Sequence, residues 1–213
     1  MSIWYNCAGG ETITAAGDKL LDSIVPEEPD DTFVARIKDG DGSAFGELVQ
    51  RHQRAVYGVV SRMISDRDDV DDIVQDVFVQ AFKSLPGFKQ EASFGTWIYR
   101  IAVNTTIKHI RKTRSRRGTS IDDPAARLAD TLASNGPNGP DDAAEKAERR
   151  EAVRRAVEAL PEHHRAVVVL HYFQNLGYDE IAKITSCSVG TVWSRLHYAC
   201  RKLKGQLAWL GGE

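Results

Sequence analysis

The sequence predicts an all-α protein built as two small helical domains joined by a flexible linker. Three observations carry this. Apolar residues recur at helical rather than alternating spacing, with almost no strand signal. Composition changes abruptly between Arg116 and Asp142. The segment from Tyr178 to about Lys204 has the turn and cap of a helix-turn-helix. A chain of 213 residues is long enough for one large domain or two small ones, each with a core.

Residues 1–30 show no clear periodicity and read as a poorly ordered N-terminal extension. The first domain spans 31–115. Asp31 to Asp39 is a short helix closed by Gly40, and Ser43 then caps a longer one. Phe45, Leu48, Val49, His52, Val56, Val60 and Ile64 fall on one stripe of that longer helix. From Asp68 to Leu85, the residues Val70, Ile73, Val74, Val77, Phe78, Ala81, Phe82 and Leu85 keep helical spacing throughout, and Pro86-Gly87 ends the helix. A further helix, Phe94 to about Arg114, turns Phe94, Trp97, Ile98, Ile101 and Ile110 inward. The linker, 116–142, carries Gly118, Pro124, the run Asn135-Gly136-Pro137-Asn138-Gly139-Pro140 and five aspartates. Helical pattern resumes near Ala143 and runs to Leu160, and Pro161 suits the first turn of the next helix. The second domain spans 143–207, and 208–213 is a tail.

The net charge of −2 hides an uneven distribution. Met1 to Asp31 holds seven acidic residues and one lysine. Ala92 to Ile121 holds seven Lys or Arg and no acid, and Ile181 to Gly212 holds five basic residues and no acid. Two basic surfaces of this kind are the electrostatic footprint of a nucleic-acid binder. The three cysteines, Cys7, Cys187 and Cys200, form neither a disulfide framework nor a metal-ligand spacing, so they read as reduced thiols. No apolar run approaches the roughly 20 residues of a membrane span, and the N-terminus lacks the pattern of a signal peptide. A cytoplasmic protein with no membrane insertion is expected.

In the second domain Tyr178–Thr185 reads as a short helix, Ser186-Cys187-Ser188 as the turn, and Ser188 as N-cap of the next helix. Val189, Val192, Leu196, Cys200 and Leu203 share one face, while Thr191, Ser194, Tyr198 and Arg201 point the other way at about 100° per residue. Ser188, Gly190, Thr191 and Ser194 at the helix start allow close approach to base edges, with His197 also on the candidate DNA face. Arg195, Arg201, Lys202 and Lys204 can reach phosphates. Trp193 sits at the edge of the apolar face, where packing competes with base contact. An ordinary helical hairpin with a solvated basic face is the plainer alternative.

A second constellation lies between Phe94 and Arg114. Arg100, Asn104, Lys108, Arg111 and Lys112 form one stripe, flanked by Trp97 and Tyr99. Cations hold phosphates, an amide reads a base edge, and aromatic rings stack on unpaired bases. Such a stripe taken alone is equally a solvated helix face. The third feature is acidic: Asp66, Asp68, Asp69, Asp71, Asp72 and Asp76. Metal chemistry needs carboxylates converging from more than one element, whereas Asp68, Asp72 and Asp76 are spaced along one exposed helix face. A protein-docking face of Asp72, Gln75, Asp76 and Lys83 is the better reading, and no metal, cofactor or catalytic residue is expected. A free-standing repressor would explain the helix-turn-helix but leave the Asn104 stripe idle; an enzyme using the aspartates would explain neither basic surface.

These pieces, in this order, resemble the bacterial RNA polymerase sigma factors of the extracytoplasmic-function group. The likeness begins at Val34-Ala35-Arg36-Ile37-Lys38-Asp39-Gly40-Asp41 and Ala44-Phe45. It continues through Asp72-Ile73-Val74-Gln75-Asp76-Val77-Phe78 and Phe94-Gly95-Thr96-Trp97-Ile98-Tyr99-Arg100-Ile101-Ala102-Val103-Asn104. It ends with Tyr178-Asp179-Glu180-Ile181-Ala182 and Ser188-Val189-Gly190-Thr191-Val192. The resemblance implies that Asp72 to Leu85, with Asp72, Gln75, Asp76, Phe78 and Lys83, holds the coiled coil of the polymerase β′ subunit. It implies capture of an unpaired base of the minus-ten element near Asn104 and the loop Phe88 to Phe94. It implies a C-terminal domain seated on the β flap that reads the minus-thirty-five duplex, and an anti-sigma factor as a further partner. The family is not enzymatic. Two positions depart from it: Trp193 stands where a basic residue is common, and Gly177 where Ser often caps the helix.

Overall fold

The computed structural model describes residues 28–116 and 141–211, which form eight α-helices and short turns. The expected extension through Glu27, the linker between Arg116 and Asp141, and the last two residues of the tail lie outside the described residues.

The first four helices are α1 (Asp30–Lys38), α2 (Phe45–Met63), α3 (Arg67–Ser84) and α4 (Phe94–Arg116). After α1 the chain reverses at Gly40, whose φ of +103° a side chain would strain. Asp41, not Ser43, makes the next cap. Its carboxylate accepts the Ser43 N–H at 3.1 Å and the Ser43 hydroxyl, opening the short turn Gly42–Ala44 that runs into α2. Ser43 lies two residues past that cap, inside the turn, where its own N–H is the donor being satisfied. Asp66 caps α3 by accepting from the Asp68 and Asp69 N–H groups, and the turn Leu85–Gly87 ends it. Leu48, Val56 and Val60 of α2, Ile73, Val77 and Ala81 of α3, and Phe94, Ile98 and Ala102 of α4 close the core of this unit. Phe82, expected inward, is 47 % exposed and meets the Phe45 ring edge-on, with centroids 5.0 Å apart. Ala81 and Leu85 fill the strip of core that α3 offers at this end, and Phe82 is turned off it.

The second unit holds α5 (Asp141–Glu158), α6 (Glu162–Val168), α7 (Tyr178–Thr185) and α8 (Val189–Gln206). Pro161 is the N-cap of α6, and a single π turn, Val169–Phe173, follows α6. That turn carries Phe173 beneath the Arg62 guanidinium, 4.8 Å from the ring centroid, and brings Gln174 toward α4.

The two units do not have wholly separate interiors. Val59 and Met63 of α2 and Val103 and Ile107 of α4 belong to the same apolar cluster as Val157, Leu160, Val167, Leu170, Ile181, Ile184 and Leu196. Removing such side chains from water contributes about 1.5–3 kcal/mol each. Arg165, 4 % exposed, crosses the seam: it donates to the carbonyls of Met63, Glu158 and Leu160. A buried guanidinium is tolerated because its N–H fork meets carbonyls that helix ends leave unpaired.

Candidate nucleic-acid interface

Helix α4 presents two faces. Ile98, Ala102, Val103, Thr106 and Ile107 point inward, and Thr106 returns its hydroxyl to the Ala102 carbonyl at 2.7 Å, so a buried polar group is satisfied. Arg100, Asn104, Lys108 and Lys112 are exposed on the outer face. Arg111 is exposed too but engaged: Nε donates to Glu162 Oε1 at 2.9 Å, and Nη2 donates to His163 Nε2 at 2.9 Å. The two flanking aromatics leave the stripe. Trp97 is half-buried against Phe88 (centroids 4.8 Å apart) and Phe94 (5.5 Å), where its ring completes the packing of the loop between α3 and α4. Tyr99 is half-buried at the seam, and its hydroxyl donates to Gln174 Oε1 at 3.0 Å. Burial pushes the Tyr99 phenol up from its ordinary value near 10.0. Neither ring is placed for stacking on a base in this arrangement.

In the second unit the helix-turn-helix has the sequence-expected joints. Ser186 takes the left-handed conformation (φ +51°) as α7 ends. Ser188 caps α8, its hydroxyl oxygen accepting from the Thr191 N–H at 3.1 Å. Glu180 reaches back to the Gly177 N–H at 3.1 Å; glycine offers no side chain in return, so this is half of a capping box. Val192, Leu196, Ala199 and Leu203 are the buried face of α8; of the other residues expected there, Cys200 is half-buried beside Ala199 and Val189 is 40 % exposed. Gly190, Ser194, His197, Tyr198 and Arg201 are exposed on the outer side. Thr191 is half-buried and tied to Ser188. Arg195 is half-buried with Nη1 3.6 Å from the Cys187 sulfur, and Lys202 donates to the Ala159 carbonyl at 3.3 Å. Trp193 is 58 % exposed, and its ring stacks on His197 with centroids 5.4 Å apart and planes 13° apart.

On the other side of the first unit, α2 and α3 enclose an open groove of about 540 Å³. Gly42, Phe45, Gly46, Val49, Phe78, Val79 and Phe82 line it, with Gln75 and Lys83 at its polar margin. Asp72, Gln75, Asp76 and Lys83 are exposed, but Phe78 is only 9 % so and forms groove floor rather than an outward contact. Among the aspartates, Asp66 is a cap and Asp69 pairs with His109 at 3.1 Å, which leaves no convergent set on α3.

The chain matches the family model Sigma-70 region 2 over residues 48–116 and the model Sigma-70, region 4 over residues 150–203. It is 39 % identical to the ECF RNA polymerase sigma-E factor of Escherichia coli (strain K12) over 174 residues, 80 % of this chain and 90 % of that one. This chain belongs to the ECF group of the sigma-70 family. It is 32 % identical to the RNA polymerase sigma-H factor of Pseudomonas aeruginosa, over 83 % of this sigma factor and 92 % of that one. Among solved structures it is similar to CnrH in complex with the cytosolic domain of CnrY, with a TM-score of 0.58, 29 % identity, and coverage of 84 % and 97 % of the two chains. The fold also matches the sigma factor RpoE in complex with the anti-sigma factor NepR from Bartonella quintana, at a TM-score of 0.58 and 20 % identity. As a sigma factor it is a non-enzymatic initiation factor of transcription. The sequence reading passed over the groove residues Phe45, Val49 and Val79 as such, and the seam residues Gln174, Glu162 and His163. An arginine set immediately before the apolar run Ala166–Leu170 was the one local sign of that seam.

Proposed function

We propose that this sigma factor grips core RNA polymerase at the α2–α3 groove and promoter DNA at two points. The polymerase β′ coiled coil lies over Phe45, Phe78 and Phe82, with Asp72, Gln75, Asp76 and Lys83 as the polar rim. Arg100, Lys108 and Lys112 hold the melted non-template strand while Asn104 reads a base of the minus-ten element. The outer side of α8 reads the minus-thirty-five duplex, with Ser188, Gly190 and Ser194 admitting base edges, Arg201 and Lys202 on phosphates, and the β flap holding the unit in place. The observation that carries this reading is the pair of acid-free basic faces, one on α4 and one on α8, each within one of the two family matches.

The described arrangement is then a closed one. Elements 10 and 35 base pairs upstream lie about 25 base pairs apart, on the order of 85 Å of duplex. A compact chain of this length has a radius of gyration of about 17 Å. The seam must part for both elements to be held, and the chain between Arg116 and Asp141 can span about 80 Å when extended. The solved neighbours in complex with CnrY and NepR support an anti-sigma partner for this chain, and its place of work is the cytoplasm, where polymerase acts.

The test is transcription from genomic fragments with core polymerase, with start sites mapped and melted thymines detected by permanganate. The expected result is a set of starts that share two upstream elements at fixed spacing and melt only with sigma and core together. A palindromic footprint by the chain alone, unaffected by core enzyme, overturns the proposal.

A further inference from the structure

We propose that the stacked pair Trp193–His197 reads the C5-methyl group of a thymine in the upstream duplex element. This deepens the promoter reading above and rests on it. Trp193 and His197 are one helical turn apart on α8, and their rings lie 5.4 Å apart and within 13° of parallel. Trp193 is 58 % exposed, so one indole face is committed to His197 and the other meets solvent. At about 100° per residue His197 falls close to Gly190, Ser194 and Arg201 on the outer side of α8, and Trp193 flanks them. The pair therefore borders the surface from which a recognition helix meets base edges.

The ligand follows from chemistry and charge. α8 carries Arg195, Arg201, Lys202 and Lys204 and no acid, so the free indole face of Trp193 sits in a field that favours a polyanion. The apolar feature that duplex DNA offers in the major groove is the thymine methyl. An indole held by a stacked neighbour meets it with little side-chain freedom left to lose. A basic residue at this position would seek guanine instead, so Trp193 exchanges hydrogen-bonding readout for apolar readout.

The holoenzyme formed with core polymerase is run on a promoter library randomised across the upstream element, for the wild-type chain, Trp193→Ala, Trp193→Phe and His197→Ala. The wild type is expected to select thymine at one position. Uracil there, which removes only the methyl, is expected to weaken binding about three- to fivefold, the value of one buried methyl group. Trp193→Ala is expected to bind uracil and thymine duplexes equally, Trp193→Phe to retain the preference, and His197→Ala to reduce it. Because Trp193 is exposed, the variants should melt as the wild type does, which circular dichroism checks. Selection of an upstream element with no penalty for uracil at any position overturns the methyl reading alone. So does a Trp193→Ala chain that keeps the wild-type penalty. A wild-type holoenzyme that selects no upstream sequence overturns both this inference and the minus-thirty-five reading beneath it.

Discussion

The Tyr99 hydroxyl donates to Gln174 Oε1 at 3.0 Å, tying a helix of the first unit to the π turn of the second across 75 positions of chain. The buried Arg165 adds a second polar tie inside the otherwise apolar seam, donating to the Met63 carbonyl of the first unit and the Leu160 carbonyl of its own. Tyr99→Phe is expected to loosen the seam by about 1 kcal/mol, the net value of one hydrogen bond. Arg165→Leu leaves buried carbonyls without donors and is expected to cost about 1–3 kcal/mol for each one left unsatisfied. Small-angle scattering and thermal melting check both: the expected result is a larger radius of gyration and a lower midpoint for Arg165→Leu, with a smaller change for Tyr99→Phe.

The seam is also expected to respond to acid. Burial first, then the Arg195 and Arg111 charges, hold the His163 imidazole below its ordinary value near 6.5, with Glu162 opposing. Burial and Arg195 lower His164 likewise, with His163, Lys202 and Glu162 as its other charged neighbours. Neutral His163 accepts from Arg111, and protonation removes that acceptor and sets a cation beside Arg111 and Arg195. A histidine with a depressed closed-state pKa binds fewer protons closed than open. Its contribution is fully present above about pH 6.5 and is lost as pH falls from there through the lowered value. Glu162, held below 4.5 by its backbone bond and Arg111 against the opposing effect of burial, adds its loss only in stronger acid. Scattering between pH 7.5 and 5.5 should show expansion in the wild type and a smaller pH response in His163→Gln.

Phe82 lines the open α2–α3 groove and is exposed, so Phe82→Asp is expected to leave the fold intact. Core-polymerase binding, measured by fluorescence anisotropy, is expected to weaken by tenfold or more, as for an aromatic anchor lost from an interface centre. Wild-type affinity for core enzyme would remove the groove from the polymerase contact.

Asn104 is exposed and outside the core, so Asn104→Ala is expected to fold and bind polymerase normally. Loss of one base contact is worth about 1–3 kcal/mol, or roughly tenfold in open-complex yield. Permanganate reactivity on a duplex promoter is the readout, and full reactivity would exclude a base-reading role.

Arg201 is exposed on α8 with its guanidinium 5.9 Å from the Tyr198 ring centroid. If it meets a phosphate, Arg201→Ala should weaken upstream binding and reduce the salt slope by about one unit. An unchanged slope places Arg201 on solvent.

Helices were legible wherever one face meets one core. The 3-4-3-4 spacing of α3 located it to within a residue or so at each end, because Val70, Ile73 and Val77 all face the same neighbours. The joints of the helix-turn-helix were legible because Ser188 and Ser186 act within their own turn. Residues whose partners are distant were not. Trp97 carries signs of both an inward residue and a ring beside the basic stripe, and only its packing on Phe88 decides for the first; for Tyr99 the deciding partner is the still more distant Gln174. Arg111 carried no sign that Glu162 would pair with it. Periodicity reports that a face is buried, not which element covers it, so the seam between the units could not be read from α2 or α4 alone.

The π turn at Val169–Phe173 holds one residue more than α-helical winding would place there, the form a single-residue insertion takes in a helix. That wider turn takes up the extra residue within about one turn, so the chain leaves it at nearly the azimuth that α winding one residue shorter would give. Deleting one residue of it is therefore expected to keep Gln174 facing Tyr99, and the angle between α7 and α8, fixed by Ser186 and Ser188, would be unchanged. The same deletion inside α6, where winding stays α, would rotate everything downstream by about 100° and turn Gln174 off Tyr99. The π turn is thus the one place in this stretch where a codon can be lost without the two units losing their hold on each other.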